Sequence, residues 1–216
     1  MWDDSPLARF AFSRTLPMPL HRSTLAALTL SLATALVPLA SVAASKHSTQ
    51  EPAAATKAAP VKVSTLGGKF AFSLPAGFSA NPLPAGDAEH GTQGASGTMY
   101  LNEPQKRVVI VTEAPIPKGQ TVGDNDSAFL DGAASGLVSQ QRAGLPDYQK
   151  VSEKSMKVNG LGLRQIDSTG TMGGGKTVTS TFVAGSGQRM AVIEVVSLAT
   201  DQAAHDAFVQ QIVAGK

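Results

Sequence analysis

Between Tyr148 and Leu198 the chain alternates in a way that leaves little choice of local architecture. The segments YQKVSEKSMKV and LGLRQIDSTGTM flank Asn159-Gly160. Both residues of that dipeptide accept positive φ, so it favours a two-residue hairpin turn. KTVTSTFVAG follows the triplet Gly173-Gly174-Gly175, and QRMAVIEVVSL follows Gly185-Ser186-Gly187. Alternating β-branched runs cut at regular intervals by glycine turns predict a four-strand antiparallel meander.

The preceding stretch adds strands and one helix. KFAFSLP puts Phe70, Phe72 and Leu74 on one side with a period of two, and Pro75 stops it. Residues 76–93 are rich in Pro, Gly, Asn and Asp and read as a long irregular loop. SGTMYLNEP and KRVVIVTEA read as two strands joined by a turn at Asn102 to Gln105, the second one central because Val108 to Val111 is apolar on both faces. Asp126 or Ser127 can cap a helix that carries Phe129, Leu130, Ala133, Ala134, Leu137 and Val138 at helical spacing. Gly132 and Gly136 weaken it, and would permit close approach to a sheet; Gly144 and Pro146 end it. A last helix, capped by Thr200, carries Ala204, Phe208, Val209, Ile212 and Val213 on one face. The prediction is an α+β fold, helices packed on a mostly antiparallel sheet of about six to seven strands.

The N-terminal part reads as an address. Ser23 to Ala40 is uncharged and apolar, His21 and Arg22 precede it and SVAAS follows, the pattern of a secretory signal. Cleavage is expected after Ala44, and translation is expected to begin at Met18 rather than at the acidic leader before it. Retention of the apolar run as a membrane anchor is the alternative, since its length is close to a span. Residues 45–65, rich in Ala, Pro, Lys and Thr, are expected to form a flexible tether. The folded domain is then expected over 66–216, with the leader and signal over 1–44. The product is expected in the periplasm or outside a bacterial cell.

Several chemistries are excluded or weakened. The chain has no cysteine, which removes disulfides, thiolate catalysis, Cys-ligated zinc and a lipid-modified cysteine. A net charge of +2 gives no electrostatic footprint for nucleic acid. GTMGGGKT, Gly170 to Thr177, fits the phosphate-loop pattern at every position. That loop needs a helix behind it to present backbone N–H groups, whereas VTSTFV is strand sequence. The segment therefore reads as a hairpin turn, and no nucleotide is expected.

The remaining candidates are sparse. His21 and His47 lie in the signal and tether, which leaves His90 and His205. His90, with Asp87 and Glu89 in the long loop, could hold a cation, although such a loop is more often only hydrated. His205, beside Asp206, is expected on the solvated side of the last helix. Asp124-Asn125-Asp126 resembles the start of a calcium loop but lacks its glycine, and Ser135 stands where its glutamate belongs; helix capping is the expected role. Arg164, Asp167, Lys176 and Glu194 are expected to pair across neighbouring strands. No nucleophile elbow is present. No catalytic, cofactor-binding or metal-binding residue is assigned.

GGKFAFSLPAGF, the meander from LRQIDSTGTM through AVIEVVSL, and DQAAHDAFVQQIV resemble the DcrB-like family of bacterial envelope proteins, over nearly all of Leu66 to Ala214. That resemblance implies a Mog1/PsbP-like α/β/α sandwich around an antiparallel sheet, and a non-enzymatic envelope role with no catalytic motif to transfer. One departure is plain: proteins of this type are often lipoproteins, and this chain offers no cysteine to acylate. The function expected is an exported module that binds an envelope protein partner. A small-ligand or metal carrier, and an exported hydrolase using the loop at 76–93, are the alternatives.

Overall fold

The structure, a computed structural model, describes residues 59–88 and 92–215. The signal, Met18 and most of the tether lie outside them. The chain enters as β1 (Val61–Thr65), turns through Leu66, Gly67 and Gly68, and returns as β2 (Phe70–Leu74). Then come β3 (Ser79–Pro82), β4 (Ser96–Asn102), β5 (Arg107–Pro115), α1 (Ser127–Gly144), β6 (Gln149–Val158), β7 (Leu161–Met172), β8 (Gly175–Ser186), β9 (Arg189–Leu198) and α2 (Gln202–Val213).

The meander forms as the turn residues require. Asn159 and Gly160 take φ of 50° and 87° between β6 and β7, and Gly173 and Gly174 take 58° and 80° between β7 and β8. Seven strands make one sheet in the order β3-β4-β5-β9-β8-β7-β6, every pairing antiparallel. β1 and β2 form a separate hairpin. α1 packs on β7 and β8; α2 packs against β2, β8 and β9. With the hairpin and α2 on one face and α1 on the other, the molecule is the α+β sandwich that the pattern predicts.

Burial follows the pleat. Val109, Val111, Leu163, Phe182, Ile193 and Val195 face the hairpin and α2 and join Phe70, Phe72, Leu74, Phe208 and Ile212 in the main core. A smaller cluster, Ala134, Val138, Ile166 and Val183, sits under α1. β8 is buried on both faces from Thr177 to Gly185. Its run of threonines and serine is thus inside the sandwich, where each hydroxyl needs a partner.

Three boundaries differ from the sequence reading. The tether does not run to residue 65: Val61–Thr65 is a strand, since Val63 and Thr65 alternate inward and pair with Phe72 and Phe70. The loop 76–93 contains β3, an exposed edge strand of poor intrinsic propensity held by pairing with β4. It ends at Pro82, which an edge position tolerates because no ladder donor is required there. Thr200 does not cap α2: a 3-10 turn over Ala199–Asp201 precedes the helix, and Asp201 is its N-cap without a side-chain bond.

Candidate functional site

GTMGGGKT is the tip of the β7–β8 hairpin. Met172 pairs with Gly175 and Thr171 with Lys176, so the segment is strand on both sides and no helix follows. Lys176 Nζ donates to Asp147 Oδ2 at 2.6 Å, and Thr171 holds the same carboxylate through its backbone N–H and its hydroxyl. Those bonds, Lys176 first, lower the Asp147 pKa to about 2. The lysine ties the turn to the segment after α1.

Asp124, Asn125 and Asp126 are each engaged by the protein. Asp126 caps α1 by accepting the N–H of Phe129 at 3.0 Å. Asp124 accepts from Lys69 Nζ and from Ser186 Oγ, and Asn125 Nδ2 donates to the Gly160 carbonyl. Arg164, Asp167, Lys176 and Glu194 do not pair with one another, but Asp167 pairs across strands with Lys154 of β6 and Arg164 lies 3.9 Å from Glu153 of β6. Parity separates the first two: Arg164 faces α1, where it binds Asp131, and Asp167 faces the other side, where it meets Lys154. Glu194 takes a 2.7 Å bond from Gln141 Nε2 of α1, and burial raises its pKa. Of the loop triad, Asp87 is described, whereas Glu89 and His90 lie outside the described residues.

The sequence reading was wrong about His205. It is 2% exposed, on the face of α2 that carries Phe208, Val209 and Ile212. Positions 205, 208, 209 and 212 have the spacing of a single helix face, and that was the available signal. Both ring nitrogens are engaged, Nδ1 by Ser197 Oγ at 3.0 Å and Nε2 by Ser180 Oγ at 3.0 Å. Arg107 Nε donates to Ser197 Oγ at 3.1 Å, and Ser180 Oγ donates to Asp167 Oδ1 at 2.7 Å. Four adjacent strands, β5, β9, β8 and β7, thus each give one polar side chain to a row beneath α2. The Arg107 guanidinium also lies 4.7 Å from the centroid of the Phe208 ring. Burial works against ionisation of Asp167, but bonds from Ser152, Gln165 and Ser180 and the charge of Lys154 outweigh it and lower its pKa.

Ser, His and Asp do meet here, but not in the order that acyl transfer needs. A nucleophilic serine requires the carboxylate on the far nitrogen of the histidine. Here Asp167 and His205 contact the same hydroxyl, and the far nitrogen meets a second serine. Ser180, Ser197 and His205 are 3%, 1% and 2% exposed, so no substrate reaches them. The row is a buried polar seam that positions α2.

The opposite face of the sheet carries a group of partly buried apolar side chains. α1 covers β7 and β8 there, and among the described residues no helix packs on β4 and β5. Register places Leu101, Val108 and Val196 side by side, with Met99 and Ile110 in the next row. All five are only partly buried. Ile110 is paired with Glu194, which sits at the boundary with α1. This is a continuous apolar surface about three strands wide.

No family model matches the chain. Over 140 residues, 65% of this chain and 68% of the relative, it is 28% identical to the inner membrane lipoprotein DcrB of Shigella flexneri. The resemblance to DcrB read from the motifs is therefore present in the aligned sequence. Among solved structures, the cyanobacterial PsbP of Synechocystis covers 76% of this chain and 96% of its own, with 12% identity and a TM-score of 0.48. A Pseudomonas aeruginosa protein of unknown function covers 73% and 95%, with 10% identity and a TM-score of 0.40. Among the described residues no helix is long and apolar enough to cross a membrane.

Proposed function

We propose that this protein is a non-enzymatic, envelope-associated module of the DcrB type that binds a protein partner through the open half of its sheet. The single observation that carries this reading is the apolar surface of Met99, Leu101, Val108, Ile110 and Val196. Apolar side chains on a sheet face are normally buried by a packed layer; among the described residues no helix supplies that layer over β4 and β5. A contiguous apolar surface of this kind marks an interaction site more often than chance exposure. Similarity to an inner membrane lipoprotein supports placement at the envelope. The absence of cysteine means that any attachment would not use an acylated thiol.

The test is a paired affinity capture from cells that naturally make the protein, with the wild type and the double variant Met99→Lys, Leu101→Lys. Both side chains are partly exposed, so the variant should keep the wild-type unfolding midpoint to within a few degrees. The expected result is a discrete protein retained by the wild type and lost from the variant. Equal capture by both proteins rejects this face, and turnover of a hydrolase substrate by the purified protein rejects the non-enzymatic reading.

A further inference from the structure

The seam under α2 has a proton arrangement that its geometry determines. Ser180 has one hydroxyl proton and gives it to the Asp167 carboxylate. His205 Nε2 must therefore be the donor in its 3.0 Å contact with Ser180 Oγ. A neutral imidazole carries a single N–H, so Nδ1 is bare and accepts from Ser197. Ser197 Oγ in turn accepts from Arg107 Nε. All four bonds run in one direction, from the guanidinium to the carboxylate, and each hydroxyl gives one bond and takes one.

Only neutral His205 fits this chain. A second ring proton on Nδ1 would turn the Ser197 contact round and leave the buried Ser197 proton without its acceptor. It would also place a second buried cation near Arg107. The charged groups around the ring are Asp206 on α2 itself, Asp201 in the turn before it, Arg107 on β5, Asp167 on β7 and, through Asp167, Lys154 on β6. β8 and β9 offer only Ser180 and Ser197 to the ring, and β2, Phe70–Leu74, has no ionisable side chain. Burial is the largest influence and lowers the His205 pKa; Asp206 and Asp167 oppose that and Arg107 adds to it.

We propose that α2 is an acid-released cap: proton uptake by His205 frees this helix from β8 and β9 while the seven-stranded sheet stays folded. α2 is suited to local release. It docks by one face, through His205, Phe208, Val209 and Ile212, and shares no backbone ladder with the sheet. Its release would uncover Phe78, whose ring is stacked on Phe208 with centroids 5.7 Å apart.

The sign follows from linkage. Undocked, His205 titrates near the ordinary value of about 6.5; docked, it titrates lower. Opening therefore takes up a proton as the pH falls below about 6.5, and docking is at full strength above that value. Each unit of depression makes opening about tenfold more favourable once the released ring is charged and the docked ring is not.

Amide hydrogen exchange of the full chain, read by mass spectrometry at pH 7.5 and 5.0 and corrected for intrinsic exchange, tests this. Peptides over 202–213 should lose more protection than peptides from β7, β8 and β9, about tenfold more for each unit by which docking lowers the His205 pKa. His205→Gln, a neutral amide with nothing to titrate, should remove that difference. Equal loss in helix and sheet, or pH-independent protection of α2, overturns the proposal. If His205→Gln does not fold, the wild-type ring decides by ¹⁵N NMR. The proposal requires an Nε2–H tautomer at pH 7.5 and a midpoint below the ordinary value. An Nδ1–H tautomer, or a midpoint at or above it, refutes it.

Discussion

Ser180 shows how little of the seam can be spared. Replacing it with Ala leaves the His205 Nε2–H buried without an acceptor and removes one donor from Asp167. The orphaned donor alone costs about 1–3 kcal/mol, so Ser180→Ala should lower the urea midpoint at pH 7.5 by a corresponding amount with an unchanged slope. A midpoint within error of the wild type would show that the seam contributes nothing to stability. None of this was legible from residue types. Ser180 sits in a strand, TVTSTFV, whose alternation is ambiguous because every position is buried, and His205 is flanked by Ala204 and Asp206, both exposed. The spacing of His205 with Phe208, Val209 and Ile212 marks its face, but the partners of its ring become visible only in the sheet beneath. The phosphate-loop match in GTMGGGKT failed for the converse reason: its residues were correct, but the strand sequence after them could not provide the helix N-terminus that the chemistry uses.

Elements announced by turn chemistry were readable, and those made by pairing alone were not. Asn159-Gly160 and the glycine triplet mark their hairpins because few other residues accept positive φ. β3, SANP, carries weak propensity and exists because β4 supplies its ladder, whereas β1, VKVST, has strand-forming residues that continue directly from an Ala- and Pro-rich segment. The glycines of α1 were legible as helix weakeners but misread as packing devices. A Cβ at Gly132 or Gly136 would meet nothing within 4 Å, whereas one at Gly185 of β8 would lie 2.3 Å from Phe129 Cε1 and 3.0 Å from Val122 Cγ2. The close approach between helix and sheet is thus permitted from the strand side. Gly136→Ala should stabilise the protein by about 0.5–1 kcal/mol, and Gly185→Ala should destabilise it by about 1–3 kcal/mol. Thermal unfolding of the two variants checks both; the same sign for the pair would contradict the packing described.

For the molecule as a whole, the sandwich is asymmetric. One face of the sheet is closed by α2 and the β1–β2 hairpin; the other is closed by α1 over β7 and β8 and, among the described residues, carries no helix over β4 and β5. The sequence allowed the two layers to be predicted, because helical and strand periods are distinct. It did not show that one layer stops halfway, since a half-covered strand and a fully covered one share the same alternation. The edges of the sheet are less inviting: β3 is short and ends in proline, and β6 presents Lys150, Lys154 and Lys157 with an irregularity between Lys150 and Ser152. A partner is therefore expected on the face. The most direct measurement is photo-crosslinking in intact cells, with a photoreactive residue placed at Ile110 in one protein and at Gln140, exposed on α1, in another. A discrete adduct from position 110 and none from 140 is the result expected. Adducts of equal yield from both positions, or none from 110 under conditions where the protein is abundant, would contradict a binding role for the open half of the sheet.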